Sequence, residues 1–366
     1  MSHTLPPQTD GITAAPRLSV ELTNVCNLHC SYCIRDEDAL YHTPANFLSV
    51  DLLRRAMRDA RAAYGVAYVS FTGGEVTIHP RFGEVIEAVA EEGLQFSFVT
   101  NGWLFERVFP FVLKHREHVR AVAFSLDGAT REAHDRWRGE GSFVRIMRGV
   151  AQCHMSRIPF LFKVGIRRDT VPQLQEIALL AARLGAHGLH FSHLLPTSTE
   201  FEAELGLRRE ERTEAEQEIG ILAGIFKMEI GIAAGYYNTD TAAAPCTVLG
   251  GSNCNIDYRG RLSLCCNLSG YRGAEGEPDV VADLNVEAFS SAFPRLRRLA
   301  KEQLERRRRA IESHVSAGRE IDLYTGSPCL FCLQSFGKIP WRGAAGATRS
   351  LPVLTAAQAA SPNTPA

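Results

Sequence analysis

The sequence predicts an α/β protein: an open parallel sheet, either a partial barrel or a doubly wound sheet, followed by a smaller hairpin-and-helix module. Three observations lead there. Strand-like and helix-like segments alternate between residues 18 and 196. Each strand-like run is short, rich in Val, Phe and Leu, and closed by Gly, Pro or polar turns. After about residue 240 the alternation stops, and an apolar hairpin, a long helical stretch and a closing CxxC take its place.

The strand-like runs are LSVELTNV (18–25), VAYVSFTGG (66–74), LQFSFVTNG (94–102), VRAVAFSLDG (119–128), PFLFKVGIR (159–167) and GLHFSHLLP (188–196). Helical spacing fills the gaps, as in SVDLLRRAMRDARAAYG and in VPQLQEIALLAARLG, which Gly185 closes. Repeated β–α units call for parallel strands joined by right-handed crossovers. Six units are too few for a closed eight-stranded barrel. In either open architecture the chemistry collects at the C-terminal ends of the strands. NIDYRGRLSLCC reads as a hairpin turning at Arg259-Gly260, and DLNVEAFSSAFPRLRRLAKEQLERRRRAIE as mostly helix. TEFEAELGLRREERTEAEQEIG reads as a charged surface helix, a candidate lid.

Domain boundaries follow. Residues 1–16 form a disordered arm, 17–239 the partial-barrel domain, 240–342 the smaller module and 343–366 a disordered tail rich in Ala, Pro, Ser and Thr. Forty basic against 41 acidic residues give a net charge of −1, without the overall basic bias of a dedicated nucleic-acid binder. No apolar run is long enough to span a membrane, and the start lacks the basic and apolar regions of a secretory signal. The expected location is the cytoplasm, where ten cysteines point to metal binding rather than disulfides.

Three of them, Cys26, Cys30 and Cys33, follow the first strand in CNLHCSYC. Three thiolates on one tight loop hold three corners of a cubane iron–sulfur cluster and leave one iron open. The alternative is a structural zinc site, with His29 as the fourth ligand. The second strand ends in Thr72-Gly73-Gly74-Glu75. Two glycines allow close backbone approach to a ligand, and Glu75 can accept from an ammonium. A plain strand-closing turn is the alternative there.

Together CNLHCSYC, FTGGEVTIHP, FVTNG and FSLDGATREAHDRWRG, in that order, resemble the radical S-adenosylmethionine (radical SAM) superfamily from about Leu18 to Leu195. The resemblance implies a (β/α)6 partial barrel, a [4Fe-4S] cluster on Cys26, Cys30 and Cys33, and SAM chelating the open iron. Carried over by position, Tyr32 lies near adenine. Gly73, Gly74 and Glu75 hold the methionyl amine. Ser125 and Arg138 contact the ribose and carboxylate. Val76 departs from the family, which often has Pro there. On residues alone, Ser125 and Asp127 also fit a strand-closing turn, and Arg138 a surface ion pair.

Six further cysteines lie in the second module: Cys246, Cys254, Cys265, Cys266, Cys329 and Cys332. Their pattern resembles the SPASM extension in its shorter form, twitch. The CxxCxxxC run of SPASM is truncated here, with Phe336 in the third place. The resemblance implies one auxiliary [4Fe-4S] cluster on Cys246, Cys265, Cys329 and Cys332, with Cys254 and Cys266 as competitors. A zinc ribbon on the same thiolates is the alternative. Cys266 follows Cys265 in a strand, so the two should face opposite ways. Cys153, in a helical stretch, is expected in the core.

The implied activity is that of a radical SAM oxidoreductase: reductive cleavage of SAM, hydrogen abstraction, and dehydrogenation of a small molecule. An external one-electron donor such as flavodoxin or ferredoxin is implied. The runner-up is maturation of a ribosomally made peptide or protein. A reading of another class is a zinc-stabilised binding protein. Arg306 to Arg309 form a basic helical face that is either phosphate-attracting or simply solvated between Glu residues. Tyr236, Tyr237, Asp240, His190 and His193 fall near strand ends, without an assigned role.

Overall fold

The computed structural model describes residues 15–34, 44–241, 246–271 and 277–339. Most of the arm expected at 1–16 and the whole tail expected at 343–366 lie outside the described residues.

Ten strands form one sheet. In chain order they are β1 (Arg17–Glu21), β2 (Tyr68–Thr72), β3 (Gln95–Thr100), β4 (Val119–Ser125), β5 (Phe160–Ile166), β6 (Gly188–His193), β7 (Glu229–Ala234), β8 (Asn253–Ile256), β9 (Arg261–Ser263) and β10 (Val280–Asp283). Their spatial order is β10-β9-β8-β1-β2-β3-β4-β5-β6-β7. β1 to β7 pair in parallel, each with its successor. The six predicted strands all form. β7, EIGIAA, is a seventh that the sequence reading did not assign.

The predicted hairpin is β8–β9, turned through Asp257 to Gly260, where Gly260 adopts φ +85°. It does not stand apart from the barrel. β8 lies parallel to β1, with Asn255 opposite Ser19, so the second module continues the same sheet.

Helices α1 (Val50–Tyr64), α2 (Phe82–Glu91), α3 (Phe105–Lys114), α4 (Arg131–Arg138), α5 (Ser142–Met155), α6 (Leu174–Arg183), α7 (Thr199–Glu204) and α8 (Arg209–Ile225) follow the parallel strands. After the hairpin come α9 (Cys266–Ser269), α10 (Phe289–Ser316), α11 (Leu323–Gly326) and α12 (Pro328–Ser335). Local signals fix their ends. Ser49 caps α1 by accepting from the Leu52 N–H, and Gly65 closes it in the left-handed region.

Alternation along the strands sorts the two faces of the sheet. One face carries Val20, Phe71, Phe98, Phe124, Phe162 and Phe191, all fully buried in the apolar core with residues of the helices. The other carries Ser19 and Glu21 of β1, Ser70 and Thr72 of β2, Ser125 of β4, Lys163 of β5 and His190 of β6, in register across the sheet. That polar face is where a ligand can be met.

The charged stretch at 199–220 is not one helix. It breaks between α7 and α8, and Arg212 of α8 is buried, donating to the Leu207 carbonyl at 3.1 Å and the Gly235 carbonyl at 2.8 Å. The basic run of α10 is also not a uniformly solvated face. Arg307 is buried and donates to the carbonyls of Thr325, Gly326 and Asn238.

Candidate functional site

The cysteine loop leaves the C-terminal end of β1 and turns tightly, with the Cys33 N–H donating to the Cys30 carbonyl at 2.9 Å. Cys26, Cys30 and Cys33 are free and partly buried, and both of the latter act electrostatically on the Cys26 thiol. Burial, reinforced by Glu75, pushes that thiol up to about 12. Two donors approach the Cys26 sulfur: the Leu28 N–H at 3.5 Å and Asn101 Nδ2 at 3.9 Å. Such N–H···S contacts favour the thiolate that an iron cluster requires.

Gly73 and Gly74 have a packing reason for being glycine. The Gly74 N–H donates to the Thr23 carbonyl and the Glu75 N–H to the Val25 carbonyl, both at 2.8 Å. A Cβ on Gly74 would stand 1.9 Å from the Val25 oxygen, and one on Gly73 2.5 Å from the Thr23 oxygen. The close approach is therefore to the backbone leading into Cys26. It sets the GGE turn directly against the cysteine loop.

Glu75 is buried and well occupied. Its Oε1 accepts from the Thr77 N–H, Thr77 Oγ1 and Thr100 Oγ1 at 3.2, 2.6 and 2.7 Å, and its Oε2 accepts from the Asn101 N–H at 2.7 Å. Burial raises its pKa and these bonds lower it, for a net rise. This carboxyl ties the ends of β2 and β3 together. Asn101 extends the tie to the loop, donating to Asn27 Oδ1 at 2.9 Å. Nothing local in FVTNG marks Asn101 for this task.

On the other side of the loop stands a buried charge network centred on Asp127. Tyr32 and Arg138 both donate to Asp127 Oδ2, Arg167 donates to Oδ1 at 2.9 Å, and His134 Nδ1 accepts the Asp127 N–H at 3.1 Å. Arg167 also donates to Asp169 at 2.9 Å and stacks over Trp137, 4.4 Å from the ring centroid. Tyr32 packs edge-on to Trp137 at 6.0 Å. Arg138 is thus a buried ion pair rather than a surface one. Ser125 ends β4, nearly buried. Asp127, Arg167, Trp137 and His134 were missed as a group, because chain positions up to 40 residues apart converge only in the fold.

Burial pushes the Asp127 carboxyl up, but Arg138 and Arg167, with Tyr32, outweigh it and hold it well below the usual carboxylate range. Its contribution to stability is therefore present above the ordinary carboxylate pKa and is lost as pH falls into the acid range. Burial, then Arg138, lowers His134 to about 4 from 6.5, so the unfolded chain takes up this proton first and stability also declines as pH drops through that window. Asp127→Ala leaves two buried guanidiniums short of a counter-charge. It is expected to cost about 3–5 kcal/mol in chemical denaturation at pH 7.

The second cysteine set converges as well. Cys246, Cys265, Cys329 and Cys332 line one pocket of about 340 Å³, counting its open mouth, with Leu249, Leu264, Leu268 and Leu333 among the apolar walls. Three of the sulfurs accept N–H donors: Cys246 from Leu249 at 3.4 Å, Cys329 from Gly235 at 3.3 Å and Cys332 from Gln303 at 3.8 Å. Gly235 follows β7 and Cys265 follows β9, so the pocket bridges segments from the two flanks of the sheet.

Cys254 is on the helix-covered face, fully buried opposite Leu18, with its thiol on the Arg17 carbonyl at 3.8 Å. It is core. Cys265 and Cys266 do not alternate along a strand, contrary to expectation. β9 ends at Ser263, Cys265 caps α9 and Cys266 begins it, and their thiols interact. Cys266 senses Glu21, Ser19 and Lys163 on the polar face and is absent from the pocket lining. Cys153 is buried in the core, as expected.

Of the unassigned strand-end residues, His193 is buried against Glu216 at 2.9 Å, and Glu216 also accepts the Tyr237 N–H. Tyr237 bonds the Ile321 carbonyl. Asp240 donates its N–H to Asn238. Tyr236 lies beside the second pocket, where burial and the thiols of Cys246 and Cys329 raise its pKa. His190 remains on the polar face.

Among the described residues no three His, Cys, Asp or Glu form a group closed enough for a single metal ion. The corner thiolates of a cubane stand further apart than the ligands of one ion. In donor type and number, three thiols on the loop and four lining the pocket are what a polynuclear cluster takes.

Residues 20–181 match the family model described as the radical SAM superfamily. These residues are a radical SAM domain. The chain is 30% identical over 188 residues to the AdoMet-dependent heme synthase of Methanosarcina barkeri, covering 51% of this chain and 53% of that one. It is 35% identical over 198 residues to the mycofactocin maturase MftC of Mycobacterium tuberculosis, covering 51% and 46%. The chain thus spans about half the length of the curated relatives it matches. Among solved structures, SuiB of Streptococcus suis bound to S-adenosylmethionine superposes with a TM-score of 0.63 at 12% identity, over 78% of this chain and 68% of that one. The structure of anSMEcpe with bound AdoMet gives 0.59 at 15%, over 79% and 84%. These likenesses establish the mixed α/β radical SAM fold. No described helix is long and apolar enough to cross a membrane.

Proposed function

We propose that this radical SAM domain works as an enzyme that cleaves SAM reductively and abstracts a hydrogen from a substrate held on the polar face of the sheet. The observation that carries it is the three-cysteine loop with the GGE turn locked against it by two 2.8 Å backbone bonds. A [4Fe-4S] cluster on Cys26, Cys30 and Cys33, with SAM on its open iron, would supply the electron that yields methionine and the hydrogen-abstracting 5′-deoxyadenosyl radical.

The residues of the chain have separable tasks in this reading. Leu28 and Asn101 steady the Cys26 sulfur. Gly73, Gly74 and Glu75 present backbone groups to the methionyl amine, while the Glu75 carboxyl holds β2 and β3 in place. Tyr32, pinned by Asp127 and Trp137, offers an aromatic surface to adenine. Ser125 and Arg138 face the ribose and carboxylate, with Asp127 and Arg167 setting the direction of Arg138.

The apolar pocket supports a twitch-like auxiliary [4Fe-4S] cluster on Cys246, Cys265, Cys329 and Cys332. Four protein thiolates leave no open iron, which favours electron transfer and hence substrate oxidation. Dehydrogenation of a small molecule follows, with an external flavodoxin or ferredoxin as electron source and a cytoplasmic setting. Peptide maturation is the second reading. It is favoured by the similarity to MftC, named a maturase, and by a SuiB structure bound to its precursor peptide SuiA, although that fold likeness is at 12% identity. The family match favours either over a zinc-stabilised binding protein.

The test is anaerobic incubation of reconstituted protein with SAM and dithionite, with or without candidate substrates, and mass spectrometry of both 5′-deoxyadenosine and substrate. Brown protein that forms 5′-deoxyadenosine supports the reading. Colourless, zinc-loaded protein that forms none overturns it.

A further inference from the structure

The polar face of the sheet holds a cation that no described carboxylate pairs with, and on which the Cys266 thiol acts as the one favourable electrostatic neighbour. Lys163 is the only lysine in the ten described strands. Phe162 and Val164 on either side of it are buried in the core, so its side chain takes the opposite face. Parallel register sets Ser125 of β4 on one side of it and His190 of β6 on the other. It is partly buried and has no hydrogen-bond or ion-pair partner among the described residues. Burial pushes its pKa down. The other buried cations all have hydrogen-bond acceptors: Arg167 pairs with Asp127 and Lys338 with Asp279, each at 2.9 Å, while Arg212 and Arg307 donate to backbone carbonyls. An ammonium removed from water without a counter-charge costs free energy unless a ligand supplies one.

Its surroundings are those of a small polar site rather than a core. Cys266 senses both Lys163 and Glu21. Asn255 is fully buried and donates to Glu21 at 3.1 Å and to Ser263 at 2.9 Å, while its Oδ1 has no partner. An unpartnered acceptor and a cation without a carboxylate partner thus lie on one face.

We propose that Lys163 anchors a carboxylate of the substrate on this face. The proposal rests on the radical SAM reading of the face as the place of chemistry. A single compact ammonium suits a monoanion. A carboxylate at Lys163 also lies beside His190, which can donate to its second oxygen.

Amine labelling tests this without using SAM cleavage. Reconstituted full-length protein is acetylated with acetic anhydride, alone or with propionate, benzoate, succinate, their amides, or inorganic phosphate. Labelling at each lysine is read by peptide mass spectrometry. At least one carboxylate should lower Lys163 labelling about five-fold, the scale of one charge-assisted bond, while its amide does not and exposed Lys114, Lys227 and Lys301 are unchanged. The thermal shift given by that carboxylate should vanish in Lys163→Gln and persist in Lys163→Arg, at unchanged iron content. Equal protection by amide or by phosphate overturns the proposal. So does a Lys163 that resists labelling in every condition. Protection by SAM alone assigns the amine to the cosubstrate and also overturns it. Absence of 5′-deoxyadenosine, by contrast, sinks the functional reading and leaves the labelling result to decide the anchor.

Discussion

The triple variant Cys26→Ala, Cys30→Ala, Cys33→Ala is expected to form no 5′-deoxyadenosine and to hold about half the iron of the parent, about four atoms instead of about eight, if each set carries one cubane. The basis is local. The three thiols share one short loop, and its backbone at Thr23 and Val25 accepts the two 2.8 Å bonds from the GGE turn. Removing the sulfurs removes the ligands without touching those bonds, so the sheet should keep its far-ultraviolet circular dichroism. The second pocket shares no ligand with the loop and should keep its iron. A triple variant that still yields 5′-deoxyadenosine, or that loses all its iron, would remove the assignment.

How far the sequence foretold this arrangement depends on whether the information is local. Six strands were legible because each is a short Val-, Phe- and Leu-rich run between turn signals, and the hairpin because Arg259-Gly260 interrupts two such runs. β7 was not, because EIGIAA is half glycine and alanine and is only partly buried along its length. The three-cysteine loop is contiguous and was read directly. The Asp127 network was not, since Tyr32 and Asp127 are 95 residues apart and nothing local marks their meeting. The glycines of GGE were recognised, but the surface they approach is the cysteine loop, a tertiary contact invisible to spacing. Cys265 and Cys266 were misjudged for a related reason. A strand was extended three residues too far, through Leu264 and Cys265 to Cys266, where a four-residue helix in fact begins.

The counterpart of the triple variant is Cys329→Ala, Cys332→Ala, expected to fall to about four irons while still cleaving SAM. Both sulfurs lie on α12 and line the pocket with Cys246 and Cys265, with Cys329 held by the Gly235 N–H and Cys332 by Gln303. Losing them leaves two thiols, too few to hold a cubane. SAM cleavage depends on the other loop and should continue, but the electron left on the substrate after hydrogen abstraction would have no acceptor. Formation of 5′-deoxyadenosine should therefore uncouple from product. Stability should fall too, because ligand binding adds directly to folding free energy and this pocket joins segments from β7, β9, α10 and α12. Protease sensitivity after β9 is the independent readout. Retention of all eight irons, or product formed in step with 5′-deoxyadenosine, would show that these four cysteines do not carry an electron-accepting cluster.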